Sequence, residues 1–124
     1  MSDLVRVAVD AMGGDYAPAE PVKGAVEAVN ADERVKVQLV GQVDVIEKEL
    51  QKYTYPKERV EIVPATEIIE TGEPPVNAIR HKKDSSIVVG MKKVRYGEAD
   101  AFVSSGSTGA VLVGGQTIVG RIKA

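Results

Sequence analysis

The sequence predicts an α/β fold built on a mainly parallel sheet. Two observations predict it. Short β-branched runs alternate with helical patterns four times along the 124 residues. The first run is apolar almost throughout, as strands covered on both faces are. Such strands belong between layers, so helices are expected on both faces of the sheet.

Leu4 to Val9 reads as the first strand, followed by a glycine-containing loop from Asp10 to Ala19. Pro21 suits the first turn of a helix, and Val22, Val26 and Val29 then fall on one helical face. Val35 to Val40 is the second strand, closed by Gly41, and Val43, Ile46 and Leu50 mark a second amphipathic helix. Val60 to Val63 is the third strand, closed by Pro64. From Thr66 to Pro75 the chain is expected to be irregular, because Pro74 and Pro75 block a continuous helix. A short helix is expected from Val76 to Lys82 or Lys83. Asp84 or Ser85 is expected to cap a longer one carrying Ile87, Met91 and Val94 and ending at Gly97. Ala101 to Val103 is the fourth strand. Ser104 to Gly109 follows it, then an apolar segment from Ala110 to Val119. That segment is apolar nearly all round and calls for cover on more than one side. The expectation is a single α/β domain, residues 1–124, that is the N-terminal part of a longer subunit.

Composition narrows the function. Hydrophobic residues make up 44% and charged residues 27%, values of a soluble globular chain. The net charge of -2 gives no general attraction to nucleic acid. Phe102 and four tyrosines are the whole aromatic complement, too few for a base-stacking surface. No cysteine is present, which removes thiol nucleophiles, disulfides and thiolate metal sites and suits the cytoplasm. The first six residues lack a signal-peptide core, and no run approaches a membrane span.

Three segments could carry chemistry. Ligands of open α/β sheets bind beyond the carboxyl ends of the strands, where Ser104-Ser105-Gly106-Ser107-Thr108-Gly109 is expected. Its glycines admit an anion close to the backbone, and the hydroxyls of Ser105, Ser107 and Thr108 add donors. A serine-rich turn with a helix cap explains the same pattern equally well. Arg80-His81-Lys82-Lys83-Asp84-Ser85-Ser86 places cations before an acid and two hydroxyls. Lys83 there would balance charge developing in acyl transfer, with Asp84 orienting it. The bland reading is a solvated basic helix end. Asp10-Ala11-Met12-Gly13-Gly14-Asp15 follows the first strand at the same sheet edge. Asp10 and Asp15 would orient donors or cap the turn, and two carboxylates alone make a poor metal site. The phosphate-loop, dinucleotide and serine-elbow motifs are all absent. The one histidine, His81, sits among cations and reads as a surface residue.

Taken together, these segments resemble the PlsX family of phosphate acyltransferases. The carrying motifs are Val9 to Asp15, Pro21 to Ala25, Leu39 to Gly41, Ala78 to Ser86 and Gly97 to Ala110. Ser107 stands where the family usually has Asn, and Thr71-Gly72 replaces a more apolar pair. The resemblance implies a three-layer αβα fold of the isocitrate/isopropylmalate dehydrogenase-like group, a homodimer, and no cofactor or metal. It implies transfer of a fatty acyl group from acyl carrier protein to inorganic phosphate for phospholipid synthesis, with peripheral membrane association reported for the family. Lys83, Asp84 and Asp10 would then be the catalytic set. Gly13, Gly14, Asp15, Arg80, Ser85, Ser86, Ser105, Gly106, Ser107, Thr108 and Gly109 would bind phosphate or substrate. A coenzyme A-dependent phosphotransacetylase and a non-catalytic anion-binding module remain as alternatives.

Overall fold

Among the described residues four strands form, three of them on runs rich in β-branched side chains: β1 (Val5–Asp10), β2 (Val35–Gly41) and β3 (Val60–Pro64); the short β4 (Ala101–Val103) carries Phe102 and Val103. The computed structural model describes residues 4–70, 72–106 and 108–119, apart from the side chains of Thr108, Gln116 and Thr117. The strands pair in the order β3-β2-β1-β4, and every pairing among them is parallel. Between them lie α1 (Ala19–Ala31), α2 (Val43–Leu50), α3 (Pro75–His81) and α4 (Ser86–Arg95). A short 3-10 turn at Lys57–Arg59 enters β3. After β4 come α5 (Thr108–Gly114) and a π-helical turn (Gly115–Val119).

The helices divide between the two faces. Val22, Ala25, Val26 and Val29 of α1, with Ile46 and Leu50 of α2, pack on Val37 and Leu39 of β2. On the opposite face Ala8, Val40 and Val63 of the strands meet Val89 and Val94 of α4. Ile79, Ile87, Met91 and Ala110 then join α3, α4 and α5 into one cluster. The sheet is therefore the middle of three layers, as the apolar strands require. Phe102 of β4 packs against both clusters on the α4 side. Gly90 makes that contact possible, because a Cβ there would run into the Phe102 ring.

The Ala110–Val119 segment differs from the all-round apolar helix expected. Ala110 is fully buried, yet Leu112 is 63% exposed, and the helix gives way to the π-helical turn at Gly115. Gly114 and Gly115 carry no side chain to hold helical packing. The departures noted at Thr71 and Ser107 lie outside the described residues.

Candidate active site at the β1–β4 switch point

The chain runs β1, β2, β3 in one direction across the sheet and then returns through α3 and α4 to place β4 beside β1. The connections leaving β1 and β4 diverge to opposite faces, which opens a crevice at the carboxyl ends of these two strands. Register sets what meets there. Val9 pairs with Val103, so Asp10 and Ser104 stand side by side at the strand ends.

Asp10 is the centre of the site and is 2% exposed. Ser86 Oγ donates to its Oδ1 at 2.6 Å, and Ser104 Oγ donates to its Oδ2 at 2.7 Å. The Met12 amide also donates to Oδ1, at 3.0 Å. One buried carboxylate thus ties together the turn after β1, the first turn of α4 and the loop after β4. The Gly106 amide donates to Ser104 Oγ at 3.0 Å, extending the network into the serine-glycine loop. The glycine loop closes over it: a Cβ on Gly13 would lie 2.5 Å from Asp10 Oδ2 and 2.8 Å from the Gly106 nitrogen. Gly14 has a φ of 94°, a left-handed conformation that favours glycine, and backs onto Ser105. The amides of Gly13, Gly14, Asp15 and Ser105 donate no hydrogen bond among the described residues. Gly14, Asp15 and Ser105 are exposed.

Asp10, Gly13, Gly14, Asp15 and Ser105 line this crevice, and Ser86 and Gly106 are tied behind it through the Asp10 network. Ser85 serves it indirectly. Its Oγ accepts from the Val88 amide at 3.2 Å and caps α4, which holds Ser86 in place. Of the two caps expected, Ser85 is the one used.

Asp84 departs from expectation. Its carboxylate does not orient Lys83; it accepts from Thr66 Oγ1 at 2.6 Å and from the Thr66 amide at 3.0 Å. These bonds, the hydroxyl's first, hold its pKa below the ordinary 3.8. The physical reason is that residues 65–69 run alongside the turn before α4. Glu67 bridges Ser85 in parallel, and the Ser86 amide donates to the Glu67 carbonyl at 3.2 Å. Lys82 is committed to the same job. Its Nζ donates to the Ile68 carbonyl at 2.7 Å and pairs with Glu73 at 2.6 Å, which lowers the Glu73 pKa. Lys83, Arg80 and His81 are exposed, and their side chains take no hydrogen bond or ion pair among the described residues.

Gly109 lies inside α5, where a Cβ would lie 2.5 Å from Pro75 Cγ. Its smallness lets α5 seat on α3. Thr108 opens α5, with its side chain outside the described set, and Ser107 lies outside the described residues. Ser104 opens the expected serine-glycine segment but was not itself expected to bind or position anything. Its only signal in the sequence is its place directly after β4, and its bond to Asp10 depends on which strands are neighbours.

Among the described residues, no three His, Asp or Glu side chains gather as metal ligands, and no helix is long and apolar enough to cross a membrane.

Comparison with known proteins bears directly on this arrangement. A profile of the family described as "Fatty acid synthesis protein" matches residues 5–124. The chain is 51% identical over 120 residues to a phosphate acyltransferase of Alkaliphilus oremlandii, covering 96% of this chain and 35% of that protein. It is 47% identical over 118 residues to one of Halothermothrix orenii, covering 95% of this chain and 35% of the relative. One of Clostridioides difficile is 48% identical over 119 residues, at 96% and 35% coverage. The chain spans about a third of the length of these relatives. By the family match and these identities, the chain belongs to the fatty acid synthesis protein family of PlsX type, whose curated members here are named phosphate acyltransferases.

Proposed function

We propose that these residues form the phosphate side of an acyltransferase that moves a fatty acyl group from acyl carrier protein to inorganic phosphate. The observation that carries this reading is the Asp10 network at the β1–β4 switch point. It locks three loops together around exposed Gly14, Asp15 and Ser105, whose amides donate no hydrogen bond among the described residues. Outward amides on a rigid turn form an anion-binding concavity. The named relatives supply the reaction class.

In the reaction, a phosphate oxygen attacks the thioester carbonyl carbon. A carbon–oxygen bond forms, the carbon–sulfur bond breaks, and the thiolate leaves with the bonding pair to be protonated as the free thiol. The product is an acyl phosphate. No covalent enzyme intermediate is needed, so the protein's contribution is positioning and charge balance. Lys83 is assigned the balancing of the oxyanion, with Arg80 as a second cation, since neither side chain is committed to a protein carboxylate among the described residues. Asp10 acts as a positioning residue that fixes Ser86 and Ser104. Asp84 positions the turn before α4 through Thr66.

The test is Lys83→Ala in a full-length subunit. Turnover is expected to fall by roughly 100-fold, the scale of removing one oxyanion stabiliser, with melting temperature unchanged. Unchanged turnover removes Lys83 from the mechanism. Assaying acyl carrier protein thioesters against acetyl-coenzyme A in the same preparation decides the donor. Phosphate-dependent stabilisation without acyl transfer would leave only an anion-binding module.

A further inference from the structure

α3 shows one face to solvent. Ala78 and Ile79 are buried, whereas Val76, Asn77, Arg80 and His81 are exposed. Val76 and Arg80, four residues apart, share one stripe of that face, and Asn77 and His81 share the next. Lys83 follows just beyond the end of the helix and is exposed as well. No acid stands on this face. Three carboxylates near it in the chain are engaged elsewhere: Asp84 accepts from Thr66, Glu67 accepts from the Asp84 amide at 3.1 Å, and Glu73 pairs with Lys82. Val76 is 52% exposed, an apolar side chain on the same face as uncommitted cations. Cations suit the last turn of a helix, yet the dipole gives no reason for an exposed valine in its first turn.

We infer that this face of α3 is where the acyl carrier protein of the proposed reaction docks, through a surface that carries carboxylates. The inference rests on that donor reading and adds to it the place of recognition. Charge selects the occupant first. Uncommitted cations of one sign, open to solvent, steer an oppositely charged protein and fix its register. Shape excludes a small ligand, because the outside of a helix offers no cleft to bury one. Symmetry disfavours a second copy of the chain. A twofold contact centred on this face would bring the cations of both copies together, and like charges oppose it. Position ties the face to the chemistry. Lys83 stands three residues before Ser86, whose hydroxyl donates to Asp10, so the face runs straight into the turn that joins the Asp10 network. Arg80 and Lys83 keep the role assigned to them in acyl transfer, while Val76, Asn77 and His81 serve recognition.

Val76→Glu and Asn77→Glu each add a carboxylate to the face, and Gln51→Glu, exposed at the end of α2, adds the same charge elsewhere. Binding of acyl carrier protein loaded with a myristoyl thioester is measured by calorimetry. It is measured on the 124-residue chain and on a chimera that joins it to the remaining part of the Alkaliphilus relative. Val76→Glu and Asn77→Glu are expected to raise Kd by roughly tenfold or more, and Gln51→Glu by less than about twofold. Asn77→Lys should lower Kd. The parent's Kd should rise with salt, because exposed charges are screened. In the chimera the KM for the carrier thioester should rise in step with Kd, while the KM for phosphate and kcat at saturating donor stay unchanged. A Kd indifferent to both added carboxylates overturns the inference. So does a parent that binds no carrier protein, or a Val76→Glu that only breaks up a dimer in sedimentation. Should the chimera fail to fold, the 124-residue chain decides alone, with amide shifts on carrier binding expected across residues 76–83. Carrier binding that answers to the added carboxylates, with no acyl transfer by the parent chimera, sinks the functional reading alone.

Discussion

Asp10 shows how much one side chain carries. A carboxylate removed from water needs donors on its oxygens, and here they come from Ser86, Ser104 and Met12. Deleting either hydroxyl leaves a buried charged acceptor short of a partner. Ser86→Ala and Ser104→Ala are each expected to cost about 1–3 kcal/mol in urea unfolding. A double-mutant cycle of either with Asp10→Ala should show strong coupling. Asp84 makes a pH prediction. Its folded pKa lies below the usual 3.8 because Thr66 donates to it. A depressed carboxyl stabilises the fold above its unfolded value, and that contribution fades as pH falls through the folded value. Asp84→Asn should therefore lower the melting temperature at neutral pH and flatten its decline below about pH 4. An acid limb as steep as in the parent chain would contradict this.

At the scale of elements, close approach decides more than propensity. Gly90 lets α4 lie against Phe102, and Gly13 lets the β1 turn lie against Gly106. Gly90→Ala would improve intrinsic helix propensity by ~1 kcal/mol, yet it drives a methyl into the Phe102 ring. A net loss of stability is expected in thermal unfolding, against what propensity alone predicts. Gly13→Ala is expected to weaken phosphate binding measured by calorimetry, because the two loops can no longer close on the Asp10 network. The irregular segment before α3 has order of its own. Lys82→Ala removes the tie to Ile68 and Glu73, so amide exchange across residues 66–73 should speed up while the sheet stays protected.

Over the whole molecule, the return crossover from β3 to β4 creates the crevice, because it brings the first and last strands together. If the crevice takes anions, inorganic phosphate at ~100 times its Kd should stabilise the chain by ~2.7 kcal/mol, read as a rise in melting temperature. No rise would leave the loop amides as ordinary turn geometry.

Strands and helices were legible in the sequence because side-chain shape and spacing act locally. Val35 to Val40 and the Val22, Val26, Val29 face carry their own periodicity, and the glycine loop after β1 announces a tight turn. Asp10, Gly13, Gly14, Ser86 and Gly106 could be singled out as candidates, and the fold gathers them. Strand order was not legible, since nothing in β1 or β4 alone says that they pair. Tertiary structure alone therefore brought Ser104 onto Asp10, set Asp84 and Lys82 to holding the preceding loop, and turned Gly109 toward Pro75. The physical reason is range: covalent geometry and local packing are written along the chain, whereas a hydrogen bond between residues 10 and 104 exists only after the sheet has closed.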